Sequence, residues 1–306
     1  MKIGVIGSTM MDVVSYTDQL PAAGETRAMK DFHVACGGKG ANQAVAVAKC
    51  GAEVVMVTKT GDDLFGSQAR ANFTSFGIGL DHVLVAESTP NGVATIIVDD
   101  SSQNRILINK GANDLLTPTD IQEAGGALQE CSMLVLQLEV PLDTVYASIE
   151  FGAQHDIPVL LNPAPANPNL DLSKLRGCAF VMPNETELSL MTGLPTSNLA
   201  EVKAAGRFLL AQGIKNVIVT MGSQGSLWLS EQEDLQIPTL KVEAVDTTGA
   251  GDSYIGCFAA EYVASGDVKK SMELASAYAA FGVTRKGTQE AYATKELFAA
   301  FLEKLK

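Results

Sequence analysis

The string Asp246-Thr247-Thr248-Gly249-Ala250-Gly251-Asp252 sets three small residues between two carboxylates, just ahead of an apolar run, Tyr254-Ile255-Gly256-Cys257-Phe258-Ala259-Ala260. The spacing predicts a tight loop opening a helix, whose first turn carries unpaired N–H groups and a partial positive charge. Phosphate is the natural occupant of such a cradle. A carboxylate there repels a resting phosphate, so Asp252 calls for a reason, and general-base work on an incoming hydroxyl supplies one. Helix capping is the competing reading of Asp252, since Asp is common at such ends.

A second cluster, Gly37-Gly38-Lys39-Gly40-Ala41-Asn42, runs straight into Gln43-Ala44-Val45-Ala46-Val47-Ala48 and delivers Lys39 and Asn42 at another helix start. It lacks Walker A spacing, and Gly4-Val5-Ile6-Gly7-Ser8 does not complete a dinucleotide fingerprint. Asp12 follows the first strand, where an open α/β sheet keeps its ligand crevice, and its carboxylate can grip sugar hydroxyls or simply face water. Asn184-Glu185-Thr186-Glu187 offers oxygen ligands for a water-held Mg²⁺, and has equally the spacing of a capping box. Glu139, Asn162 and Thr220-Met221-Gly222 stand at the ends of further strands. The three histidines are scattered without ligand spacing, and Cys36 reads as a small buried thiol.

These residues need a scaffold, and the chain supplies one by alternation. Short β-branched runs at 2–7, 53–59, 132–138, 157–162 and 216–220 alternate with helical stretches at 40–50, 62–77, 117–130, 141–154 and 198–212. This predicts an α/β fold: a doubly wound, mostly parallel sheet flanked by helices. Thr117-Pro118-Thr119-Asp120 marks one helix start, and the chain beyond 250 is largely helical. Segments 11–35 and 89–109 break the alternation with strand-like pieces and turns. They are expected to form antiparallel strands outside the main sheet, a small discontinuous β lid on one domain spanning 1–306.

The formal charge of −13 argues against nucleic acid and anionic membranes, since both ask for a basic face. With 46% hydrophobic and 19% charged residues the composition is that of a soluble globule. No apolar run reaches the length of a membrane span. An odd set of five cysteines with no Cys-x-x-Cys pair suits a reducing compartment, so cytoplasm is expected.

Together, the strings 37–43, 184–187 and 246–252 resemble the ribokinase-like (phosphofructokinase B type) family of sugar kinases, over residues 2 to about 300. Leu161-Asn162-Pro163-Ala164-Pro165-Ala166 and Val283-Thr284-Arg285-Lys286-Gly287 place it nearest the ribokinase and 2-deoxyribokinase branches. The resemblance implies ATP-dependent phosphorylation of a sugar 5-hydroxyl, with Asp252 as base and Gly249, Ala250 and Gly251 as the anion hole. It further implies that Asp12, Gly38, Lys39, Asn42 and Glu139 hold the sugar, with Ala94 on the lid side. Asn184 and Glu187 are implied to act on Mg²⁺ through water, and Asn184, Thr220 and Gly222 to line the nucleotide site. A K⁺ site is implied at Asp246 and the carbonyls of Thr248, Gly282, Arg285 and Gly287, although Ala291 stands where ribokinases often carry Ser. The lid of such kinases often pairs in a homodimer.

One position departs in a telling way. Ribokinases typically carry Asn two residues before the sugar-binding Asp, and this chain has Met10. A thioether donates no hydrogen bond, so a 2-hydroxyl facing it loses a partner worth about 1–3 kcal/mol. The expected preferred substrate is 2-deoxy-D-ribose; a ribokinase with altered packing and a non-catalytic sugar sensor are the alternatives.

Overall fold

The computed structural model of the chain describes residues 1–100 and 104–304. Its strands are β1 (Lys2–Ile6), β2 (Met10–Tyr16), β3 (Asp31–Gly37), β4 (Glu53–Gly61), β5 (Val83–Ala86), β6 (Gly92–Val98), β7 (Asn104–Asn109), β8 (Leu134–Leu136), β9 (Val159–Leu161), β10 (Phe180–Val181), β11 (Val217–Thr220), β12 (Ser226–Leu229) and β13 (Asp234–Ile237). The helices are α1 (Lys39–Lys49), α2 (Leu64–Ser75), α3 (Pro118–Glu123), α4 (Gly125–Gln129), α5 (Leu142–Gln154), α6 (Glu185–Thr192), α7 (Leu199–Ala211), α8 (Ala250–Ser265), α9 (Val268–Gly282) and α10 (Lys295–Lys304).

A nine-stranded sheet has the order β13-β12-β11-β10-β9-β8-β1-β4-β5. From β5 to β11 neighbouring strands are parallel, and β12 and β13 close one edge antiparallel. Buried strands such as Leu134-Val135-Leu136 are apolar at every position because helices cover both faces. On one face Ile3 and Val5 pack with α1, α8 and α9; on the other Ile6, Leu134 and Leu136 pack with residues of α3, α5 and α7. The chain lays β4 and β5 on one side of β1 and β8 to β11 on the other. Winding therefore reverses between β1 and β8, and a crevice opens beyond their carboxyl ends.

Several elements differ from expectation. The 117–130 helix is two, α3 and α4, joined at Ala124 ahead of Gly125-Gly126, which are poor helix formers. The capping box of Thr117 and Asp120 does form. The strands expected at 132–138 and 157–162 stop at Leu136 and Leu161, and the polar residues after them, Gln137, Glu139 and Asn162, are buried.

The small sheet, in the order β3-β2-β6-β7, is mixed and not purely antiparallel: β2 and β6 pair in parallel. Both emerge after strands of like direction in the large sheet, β1 and β5, so they enter the small sheet the same way. Residues 101–103 of the expected lid segment, and 305–306, lie outside the described residues. Among the described residues no helix is long and apolar enough to cross a membrane.

Candidate active site

The chain leaves β1 through a knot of buried polar groups. Ser8 Oγ donates a close hydrogen bond to Glu139 Oε2, and the Lys39 N–H donates to the same oxygen at 2.9 Å. The ends of β1 and β8 and the start of α1 are thus fastened at one carboxylate. Asn113 grips the next residue on both sides: the Thr9 N–H donates to its Oδ1, and its Nδ2 donates to the Thr9 carbonyl, each at 2.9 Å. This fixes the direction in which β2 departs.

Two residues apart on a strand, Met10 and Asp12 share a face. Met10 pairs with Gly37 and Gly92 and is buried; Asp12 pairs with Ala35 and the buried Ala94. Burial, together with the charges of Glu139 and Asp252, pushes the Asp12 pKa up to about 6. Burial works against the Lys39 ammonium, but Asp252, Glu139 and Glu187 outweigh it and hold its pKa above the ordinary lysine value. The Lys39 charge is thus favoured by the field of three acids.

Asp252 lies in the first turn of α8 and is buried. Its Oδ2 accepts from Asn42 Nδ2 and its Oδ1 from Gln43 Nε2, both at 3.0 Å. Gly249 caps this helix at φ 73°, a left-handed conformation that favours glycine, and a Cβ there would stand 2.3 Å from Thr288 Cγ2. Tyr292 Oη donates to the Gly249 carbonyl at 3.0 Å and steadies the loop from outside. The Gly249-Ala250-Gly251 turn is therefore held rigidly with Asp252 at its inner end.

On the far side of that turn lies a cavity of about 790 Å³. Ala250 and Gly251 form part of its wall, with Asn184, Thr220 and Gly222 near one end and Leu240, Val242, Ala279 and Val283 giving apolar surface. Asn184 caps α6: its side chain accepts from the Glu187 N–H, and Glu187 Oε2 accepts from the Asn184 N–H, both at 2.8 Å. The capping reading of this motif is thus realised, while an isolated bridge between Asn184 and Thr220 brings it to the cavity. Burial raises the Glu187 pKa against the pull of the Asn184 N–H and Lys39.

Asp246 joins two loops, accepting from the Thr248 N–H at 2.9 Å and the Gly287 N–H at 3.1 Å. Burial opposes its ionisation, but these hydrogen bonds prevail and hold its pKa below the usual carboxylate value. The Gly282 carbonyl accepts from the Arg285 N–H at 3.0 Å, and the Arg285 guanidinium lies over the Phe281 ring. Ala291 is buried and brings no side-chain oxygen. Cys36 is half-buried, and desolvation pushes its thiol up to about 11, so it stays protonated.

The residues expected to hold a sugar, Met10, Asp12, Gly38, Lys39, Asn42, Ala94 and Glu139, come from β2, β6, the loop after β8 and the start of α1, and Asn42 brings that set to one side of Asp252. The cavity with Asn184, Thr220 and Gly222 lies on the other. A loop that ends in a carboxylate between a polar crevice and a large cavity suits transfer of a phosphoryl group from one to the other. The sequence signature of the pfkB family carbohydrate kinases matches residues 1–295.

The chain belongs to that family. It is an ATP-dependent carbohydrate kinase. It is 50% identical to a deoxyribokinase of Salmonella typhi over 302 residues, 99% of each chain. It is 37% identical to a ribokinase of Schizosaccharomyces pombe, over 94% of this chain and 93% of that one. The crystal structure of a ribokinase from Thermotoga maritima superposes with a TM-score of 0.88 at 34% identity, over 98% of this chain and 99% of that one.

Sequence reasoning gave no role to Ser8, Asn113, Gln43, Gln289 or Tyr292. Gln43 was in view as the last residue of the 37–43 string, next to Asn42, but its partner Asp252 is 209 residues away. Asn42 also differs from expectation in its neighbours: its amide donates to Asp252 and its carbonyl accepts from Gln289 Nε2 at 2.9 Å. Among the described residues no cluster of three or more His, Cys, Asp or Glu could hold a metal ion.

Proposed function

We propose that this chain phosphorylates the 5-hydroxyl of a pentose, with 2-deoxy-D-ribose preferred over D-ribose. Met10 carries the reading of substrate: it is buried beside Asp12 on the face that meets the crevice and offers a thioether where a donor is wanted for a 2-hydroxyl. An apolar wall rejects an added hydroxyl by about a hundredfold at most, so ribose is disfavoured, not excluded. The likeness to the Salmonella typhi deoxyribokinase supports the same substrate.

In this reading Asp12, Gly38, Lys39, Asn42 and Glu139 hold the sugar under a lid made of the small sheet, β2, β3, β6 and β7, with Ala94 on its inner face. Asp252 takes the proton of the 5-hydroxyl. A carboxylate is a weak base toward an alcohol, so the proton moves late, as attack on phosphorus makes the hydroxyl acidic. Gly249, Ala250 and Gly251 form the anion hole for the transferring phosphoryl oxygens, the Ala250 N–H giving up its 3.2 Å bond to the Thr247 carbonyl to join it; such donors are worth about 3 kcal/mol each in comparable oxyanion sites. Asn184, Thr220 and Gly222 line the nucleotide site.

Glu187 and Asn184 would hold Mg²⁺ through water. A single carboxylate beside an amide suits an ion that keeps most of its waters, and Glu187 Oε1 is left over from the capping box. When bound, the ion neutralises phosphate charge. Asp246 and the carbonyls of Thr248, Gly282, Arg285 and Gly287 would hold K⁺; the all-oxygen donor set and the carboxylate joining two loops support this site. It does without a side-chain oxygen at position 291.

The chain works as one domain in the cytoplasm and pairs with a second copy through the lid, where Phe32, Val34, Ile106, Leu107 and Ile108 leave apolar surface exposed. Light scattering should show a dimer that Leu107→Glu splits.

ADP release from ATP and Mg²⁺ over a panel of pentoses and hexoses, with and without K⁺, tests the reading. Turnover fastest on 2-deoxyribose and next on ribose is expected. ADP release that no pentose stimulates would refute it and favour a sugar sensor.

A further inference from the structure

Five carboxamide side chains converge on Asp252 from two directions. On one arm Gln137 Nε2 donates to Gln43 Oε1 at 2.6 Å, and Gln43 Nε2 donates to Asp252 Oδ1 at 3.0 Å and to Asn162 Oδ1 at 3.2 Å. On the other, Asn72 Nδ2 donates to Gln289 Oε1 at 2.7 Å, Gln289 Nε2 to Asn42 Oδ1 at 2.9 Å, and Asn42 Nδ2 to Asp252 Oδ2 at 3.0 Å. Gln43, Gln137 and Gln289 are all but inaccessible to solvent. The arms come from the loop after β8, α1, α2 and the loop before α10, so no single element explains them.

The approach of α1 to α8 makes the inner contacts possible. A Cβ on Gly256 would stand 2.5 Å from Ala46 Cβ and 2.8 Å from the Gln43 carbonyl. With no side chain there, α1 lies against α8 closely enough for Asn42 and Gln43 to reach the first turn. The far end of one arm is open: Gln137 Oε1 is buried with no hydrogen-bond partner. Donors therefore point inward along both arms, and Asp252 is the shared acceptor.

We infer that Gln43 and Gln137, with the Asn42–Gln289–Asn72 arm opposite, are positioning residues that fix the plane of the Asp252 carboxylate and leave one lone pair of each oxygen for the substrate hydroxyl. This rests on Asp252 being the base. Carboxamides suit the task because they carry no charge to neutralise the carboxylate and no proton to lose, and the carboxylate, which only accepts, sets the direction of both arms. Each bond in such a chain polarises the next. Oriented groups matter for rate because a small misplacement of a base is felt in turnover before it is felt in binding.

The test compares three full-length variants: Gln43→Met, which keeps the volume and removes the donor, Gln137→Met one step farther out, and Asp252→Asn. Loss of one charge-assisted hydrogen bond predicts that Gln43→Met lowers kcat by about tenfold or more, with KM for 2-deoxyribose and ATP changed by less than about threefold. Gln137→Met should lower kcat by about threefold, through the relay alone.

Melting temperatures are measured alongside, because amides that merely filled space would lower Tm and leave kcat of the folded fraction intact. Gln43→Met turning over within about twofold of wild type would overturn the relay. If that variant does not fold, Gln137→Met decides: kcat unchanged overturns, kcat lowered at constant KM supports. An active Asp252→Asn would instead remove the base itself, a failure distinguishable from that of the relay.

Discussion

The two sides of Asp252 are built by opposite means. Toward the small sheet the chain gathers charged side chains: buried Glu139 ties β1, β8 and α1 together, and half-buried Lys39 feels the charges of three acids. Toward α9, the cavity is roomy and lined by small or aliphatic residues such as Ala250, Gly251, Ala279 and Val283. In the proposed function the first reads the hydroxyls of the sugar, and the second accepts the nucleotide by shape and backbone. A change on the sugar side should therefore alter turnover or selectivity sharply, and a change on the cavity side should act mildly.

Asp252→Asn, at the junction, is the largest expected break. It should lower kcat by about 10³-fold, in the range of a lost general base, as read by ADP release. Lys39→Met leaves Asp252, Glu139 and Glu187 facing one another without a cation, so kcat/KM should fall by about a hundredfold. Equal activity in that variant would mean the acids are not competing for it.

Asp12→Asn sharpens the comparison differently. Because the folded-state pKa of Asp12 is raised to about 6, the fold favours its protonated form. Any stability tied to that proton is fully present below the unfolded value near 3.9 and is lost as pH rises through about 6. At pH 7.5 the charged group strains the fold, and Asp12→Asn should raise Tm by about 2 °C or more while weakening sugar binding. Near pH 4 the Tm gain should vanish.

On the cavity side Asn184→Ala removes a helix cap worth about 1 kcal/mol, a Tm loss of about 2–4 °C. It should raise KM for ATP more than KM for the sugar.

What was legible in the sequence is what is local. The 246–252 string, the 37–42 string and the capping boxes at Thr117 and Asn184 each declare a loop and a helix start within a few residues, and the structure has them there. Alternation of strands and helices likewise declared the parallel sheet. What was not legible depends on long-range meeting. Ser8 reaches Glu139 across 131 residues, and Gln289 reaches Asn42 across 247, so no spacing pattern could announce either. The parallel pairing of β2 and β6 follows from where β1 and β5 release the chain, a property of the whole sheet. At Asn184 a metal-type motif and a cap use the same residues at the same spacing, and only coordinates reveal that the cap is formed.

The substrate preference ascribed to Met10 is the claim on which the account turns most. The direct measurement is kcat/KM for 2-deoxyribose and for ribose in wild type and in Met10→Asn. The account predicts a wild-type ratio favouring 2-deoxyribose that moves toward ribose by about tenfold or more when the amide is introduced, the worth of one hydrogen bond to a hydroxyl. The same ratio in both proteins would contradict it.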